Sequence, residues 1–133
     1  MKPTVYIASP YSQGDPGINV RFQLQAWDEL FRSGLVIPVA PLWSHFQHVA
    51  FPRPYDDWMA YDQAIIERCC DACLRQYAWC AYTRNYGDLP IEPYTQEESA
   101  GADREVALFK KLGRPVFTSV LDLYSWARKL AQL

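Results

Sequence analysis

Charge of one sign never accumulates in this chain. Thirteen Lys and Arg face fifteen Asp and Glu, for a net charge of -2. No basic cluster offers the electrostatic footprint that a nucleic-acid polymer or an anionic membrane requires. Glycine is scarce, at six residues. None forms Gly-x-Gly-x-x-Gly after the first strand-like segment or a phosphate loop ending in Lys, which disfavours a standard dinucleotide or ATP site. A Gly-x-Ser-x-Gly nucleophile elbow is also missing. No apolar run approaches transmembrane length. Met1-Lys2-Pro3 leads straight into a strand-like segment without the apolar stretch and cleavage site of a secretory signal, so a cytoplasmic location is expected. The four cysteines, Cys69, Cys70, Cys73 and Cys80, crowd into one short segment. Adjacent thiols make poor disulfide partners, and the spacing is not that of a secreted framework. A zinc site built from Cys69, Cys70 and Cys73 with His45 or His48 lacks a second Cys pair, and buried, inert thiols are the simpler reading. No metal or cofactor is expected, and a small molecule is the default ligand.

What the chain does have is apolar and aromatic. Half of its 133 residues are hydrophobic, including five Trp, nine Tyr and six Phe, enough for one domain spanning 1–133 around a single core. Short apolar runs alternate with helix-period segments, separated by Gly or Pro, in a β-α order repeated four times. Residues 4–8 read as a first strand. Val20, Leu24, Trp27 and Phe31 then share a helical stripe that Gly34 closes. Residues 35–39 read as a second strand, and 40–55 as a long connection rich in Pro and aromatics that carries both histidines. A helix over 56–70, a strand within 72–82, a polar loop over 87–98, a helix to Leu112, a strand over 115–119 and a last helix marked by Leu123, Trp126, Ala127 and Leu130 complete the order. Such alternation predicts an α/β fold, a Rossmann-like (flavodoxin-like), mostly parallel sheet with helices on both faces. Ligands in such sheets bind at the carboxyl ends of the strands, which points to Ser9 and Ser12 after the first strand, to the 40–55 connection with His45, and to the Ser99 region.

Two carboxylates lie on the wrong face of their helices. Glu105 shares a stripe with Ala102, Val106, Phe109 and Leu112, opposite Asp103, Arg104, Ala107, Lys110 and Lys111. Asp62 shares one with Trp58, Ile65, Ile66 and Cys69, while Gln63, Glu67, Arg68 and Asp71 face away. An ionised carboxylate pointing inward needs compensation or a raised pKa. The helix dipole and the amides around Gly101 and Ala102 offer Glu105 part of that compensation. Each carboxylate alone can be a satisfied ion pair or the partner of a buried Arg; the two together favour a site. Tyr6, at mid-strand, reads as a core aromatic with its hydroxyl satisfied locally, and Ser99 as a helix N-cap.

These residues also resemble a family. Val5-Tyr6-Ile7-Ala8-Ser9-Pro10-Tyr11-Ser12, Asp62 ahead of Cys70-Asp71, Ser99-Ala100-Gly101-Ala102-Asp103-Arg104-Glu105 and Gly113-Arg114-Pro115-Val116 follow one another as in the nucleoside 2-deoxyribosyltransferase superfamily, most like its small bacterial and phage branch. The most specific element is Ser-x-Gly-x-x-x-Glu leading into a helix. The resemblance implies cleavage of an N-glycosidic bond in a nucleoside or nucleoside 5′-monophosphate. Glu105 would be the nucleophile, Tyr6 its support, Asp62 a group near the ribose and leaving base, and Ser99 a contact to the 5′ end. A homo-oligomer is also implied. The chain departs from the nucleotide-hydrolysing members in having no Arg between the first strand and Arg21, and its stretch from Asp71 to Ser99 is longer than usual, room for a lid or for Tyr94 near the base. A non-catalytic nucleotide-binding or sensor protein on the same scaffold is the alternative.

Overall fold

The computed structural model describes residues 2–11, 16–76 and 99–133. Ser12, Cys80, the strand residues expected as far as Tyr82, and the 87–98 loop with Tyr94 lie outside the described residues.

Thr4–Ala8 forms β1, a run of β-branched and aromatic residues suited to a pleated sheet. It is followed by α1 (Pro16–Ser33) and β2 (Ile37–Val39). The connection beyond β2 is more structured than its Pro-rich composition suggests. A single 3-10 turn over Pro41–Trp43 runs into α2 (Ser44–Ala50), so both histidines sit on a helix and not in a loop. Next come α3 (Tyr55–Cys69), β3 (Ala72–Arg75), α4 (Ala100–Lys111), β4 (Val116–Phe117) and α5 (Val120–Ala131). α1 and α4 are each followed by a glycine with positive φ, Gly34 at 70° and Gly113 at 71°. Behind α4 the Gly113 amide donates to Lys110 at 3.1 Å and the Arg114 amide to Phe109 at 2.9 Å, the paired bonds of a Schellman stop.

All strand pairs are parallel, in the order β2-β1-β3-β4. Alternate residues of β1 feed two cores. Val5 and Ile7 pack with Ala26 and Leu30 of α1 and Leu123 and Ala127 of α5. Tyr6 and Ala8 pack with Ile66 of α3 and Ala102 and Phe109 of α4. The sheet is thus covered on both faces, as parallel strands require. Because β2 lies on one side of β1 and β3 on the other, the chain reverses direction across the sheet between β1 and β3, and a crevice opens at the carboxyl ends of those strands.

The buried face of α1 is not the one its largest residues predict. Val20, Gln23, Ala26 and Leu30 are buried, whereas Phe31 is 60% exposed. Trp27 turns its indole N–H to the Pro38 carbonyl at 3.0 Å and stacks on Phe31, ring centroids 4.9 Å apart, as a partly buried layer over the edge of the sheet. Cys69 of α3 and Leu112 after α4 are likewise exposed, each at the end of its stripe. Among the described residues no helix is long and apolar enough to cross a membrane.

Candidate active site

A cleft of about 620 Å³ lies at the crevice. It is lined by Ser9 and Tyr11 just after β1, by the start of α4, and by α2 and α3. Ser9 follows β1 directly; its Oγ accepts from the fully buried Gln23 amide at 2.8 Å, and the same amide donates to the Ile7 carbonyl at 3.0 Å. Gln23 Oε1 in turn accepts from the Leu42 amide at 2.8 Å, tying the 3-10 turn down beside the strand end. Ser99 caps α4 by accepting from the Ala102 amide at 3.2 Å, so that amide is committed to the cap and does not compensate Glu105. Gly101 faces the cleft where a Cβ would meet the Tyr55 hydroxyl at 3.4 Å.

Glu105, one turn into α4, and Asp62, midway along α3, meet at the inner end of the cleft, and both also border a second cavity of about 350 Å³ between α3 and α4. The Tyr6 hydroxyl, 99 positions from Glu105 in sequence, donates to Glu105 Oε2. Tyr6 is thus not satisfied locally; its partner comes from across the fold and is the residue that the resemblance pairs with it. Burial raises the Glu105 carboxyl to about 8, with the Tyr6 hydrogen bond opposing, Asp62 adding repulsion and Arg75 opposing it. Burial raises Asp62 to about 7, again with Tyr6 opposing. The Tyr6 phenol is pushed well above its usual range by burial and by the two carboxyls.

Arg75, at the end of β3, is fully buried; it donates to the Gln76 carbonyl at 2.8 Å and pairs with exposed Asp103 at 3.3 Å. A buried Arg close to the start of α4 thus does exist; it pairs with Asp103, and its charge favours the ionised form of Glu105.

His45 and His48, three positions apart on α2, both line the cleft. His45 Nδ1 is 2.6 Å from the Tyr11 hydroxyl. His48 Nδ1 accepts from the Trp58 indole at 3.0 Å and from the Arg53 amide at 3.2 Å. No Arg follows β1 up to Tyr11, yet Arg53 and Arg104 line the cleft from other elements. Cys70 and Cys73 are buried, and burial pushes each thiol up to about 12. Among the described residues no group of three or more His, Cys, Asp or Glu could hold a metal ion.

Of the residues singled out in the sequence, Tyr6, Ser9, His45, Asp62, Ser99, Gly101 and Glu105 are brought to this one place by contact or by lining the cleft. Gln23, Tyr11, Arg53, Trp58, Arg75 and Arg104 join them without having been singled out as site residues. For Gln23 a signal was available, since it is a polar residue on the buried stripe of α1, the same anomaly that marks Glu105. Comparison of the chain with protein-family models, characterised proteins and solved structures finds no match.

Proposed function

We propose that this protein cleaves the N-glycosidic bond of a nucleoside or nucleoside 5′-monophosphate through a covalent glycosyl-enzyme at Glu105. The observation that carries the reading is the pair of inward carboxyls, with the Tyr6 hydroxyl donating to one of them, at the inner end of a cleft of nucleoside dimensions. The resemblance to nucleoside 2-deoxyribosyltransferases names the same residues for the same chemistry.

In this reading a Glu105 oxygen attacks the anomeric carbon as the carbon–nitrogen bond breaks, and the base departs with the bonding pair and takes the Asp62 proton. Water, or a nitrogen of a second base, then attacks the same carbon, frees the Glu105 carboxylate and returns a proton to Asp62, as in retaining glycosidases. Near neutrality the two carboxyls share the one negative charge and the one proton that the two roles need. The Tyr6 hydrogen bond and the field of Arg75 lower the cost of the charge on Glu105 when Asp62 holds the proton, which is the arrangement the reaction uses. A homo-oligomer belongs to the same proposal, supported by exposed Phe46, Val49 and Phe51 beside the cleft wall.

The test is incubation with ribo- and deoxyribonucleosides and their monophosphates, with chromatography for free base. Base release is expected, and Glu105→Gln is expected to abolish it while the protein stays folded; unchanged turnover in that variant would remove the assignment. Asp62→Asn should slow cleavage most for poor leaving bases. Tight nucleoside binding without any turnover would instead make the cleft that of a binding or sensor protein.

A further inference from the structure

Among the cleft residues, His48 has hydrogen bonds that fix what it can offer a ligand. Its Nδ1 receives the Trp58 indole N–H and the Arg53 backbone N–H. Both partners are donors with no acceptor capacity, so Nδ1 must present its lone pair. In the neutral ring the proton then resides on Nε2, and the partners' chemistry alone makes that tautomer assignment. The Tyr11 hydroxyl beside His45 can donate or accept, so the same reasoning does not extend to His45.

Position gives the Nε2–H a role. Tyr55, Trp58 and Asp62 lie along one face of α3, about one turn apart, and all line the cleft. If the base departs beside Asp62, the face it runs along next is Trp58. The indole N–H is already spent on His48, so Trp58 presents its ring surface, and His48, set edge-on to it with centroids 6.1 Å apart, contributes its Nε2–H beside that surface in the lining of the cleft.

We infer that His48 Nε2–H donates a hydrogen bond to an acceptor atom of the leaving base, and that the protein therefore selects N-glycosides whose base carries an oxo oxygen or unprotonated ring nitrogen on that edge. This rests on the glycosidase reading. As the carbon–nitrogen bond breaks, the base takes the electron pair and its acceptors become richer in charge, so a donor already held in place binds the transition state more tightly than the ground state. A base with no acceptor there leaves the N–H unpaired in the cleft, which penalises it.

The experiment compares kcat/KM for inosine, 7-deazainosine and purine riboside, in whichever sugar series the wild type accepts. The wild type should disfavour the analogue that lacks the recognised acceptor by roughly tenfold, and which analogue that is separates ring nitrogen from oxo oxygen. His48→Asn places its amide oxygen near the Nδ1 position and keeps an acceptor for Trp58 and Arg53, but stops short of Nε2. His48→Gln reaches the Nε2 position with an N–H. Discrimination should collapse to within about twofold in the Asn variant and persist at lower activity in the Gln variant. Retention of the ratio in Asn with its loss in Gln would make His48 only a support for Trp58 and overturn the inference, as would a wild type indifferent to all three bases. Those results leave base release by the wild type intact, whereas failure of the wild type to release any base removes the glycosidase reading and this inference with it.

Discussion

Tyr6 sits at mid-strand with both of its nearest polar neighbours carboxyl groups, and its single hydroxyl proton goes to Glu105. A phenol whose own ionisation is suppressed by burial is a reliable donor across the neutral range, and what it donates to becomes easier to ionise. The proposed chemistry needs one carboxylate and one carboxylic acid, and the pair titrates at about 7 and about 8. Activity should therefore fall on the acid side, where the nucleophile is protonated, and on the alkaline side, where the proton donor is lost, with kcat/KM greatest between those values. In Tyr6→Phe the ionised form of Glu105 loses its donor, so the acid limb should move upward and the maximum fall by about tenfold. A pH–rate profile of both proteins decides this; an acid limb that does not move would mean that Tyr6 contributes packing alone. Glu105 and Asp62 were legible in the sequence because a carboxylate on an apolar stripe is a costly arrangement that periodicity exposes. Arg75 was not, because β3 is buried throughout and has no polar face to betray an inward charge.

Asp62 is only as well placed as α3, and the end of that helix is held by a residue from another element. The Arg114 guanidinium, in the turn between α4 and β4, donates to the carbonyls of Ile66 at 2.6 Å, Cys70 at 2.9 Å and Glu67 at 3.0 Å. The Glu67 and Cys70 carbonyls are among those a helix leaves unpaired at its C-terminus, where a cation is also favoured by the dipole, while that of Ile66 also accepts the Cys70 amide. Arg114→Ala should lower the unfolding free energy by about 2 kcal/mol in urea titrations, and Arg114→Lys, which keeps the charge but not the fork, should recover only part of it. A loss no larger than that of an ordinary surface substitution would show that water replaces the cap. The resemblance marks Arg114 merely as a spacer between Gly113 and Pro115; its partners lie more than forty positions away and no local pattern announces them. The helices themselves were legible, and α1 shows the limit. Its bulky Leu24, Trp27 and Phe31 shift the inferred stripe, because a tryptophan with a hydrogen-bond partner at the surface can hold a stacked phenylalanine in the open. That shift moves Gln23 from the centre of the buried face to its margin, which weakens the signal of its link between Ser9 and Leu42. α2, seven residues long after a proline-led turn, is too short to form on propensity alone and depends on tertiary contacts that no local window contains.

For the molecule as a whole, the strand sequence was readable from alternation, but the order β2-β1-β3-β4, and with it the crevice between β1 and β3, is a property of the assembled sheet. Assembly brings a cost as well as a site. Glu105 and Asp62 are raised by burial, so over the interval between the usual carboxyl range and about 8 the folded chain binds more protons than the unfolded one. The slope of unfolding free energy with pH is then negative: the penalty is absent below the unfolded carboxyl values, grows as pH rises, and is complete once the pH exceeds the folded ones. Glu105→Gln is close to isosteric and cannot ionise. It should match the wild type in stability at about pH 4 and exceed it at about pH 9, by on the order of a few kcal/mol. Tyr6, Cys70 and Cys73 are also raised and steepen the alkaline decline in both proteins, so the difference between the two curves, not either curve alone, reports Glu105. Urea titrations across that range measure it directly. Parallel curves would mean that Glu105 ionises as readily in the folded chain as in the unfolded one, and that the inner end of the cleft is wet. Diverging curves would mean that the fold gives up stability at the position where the proposed reaction needs a nucleophile, and that the variant expected to be inactive is the more stable protein at alkaline pH.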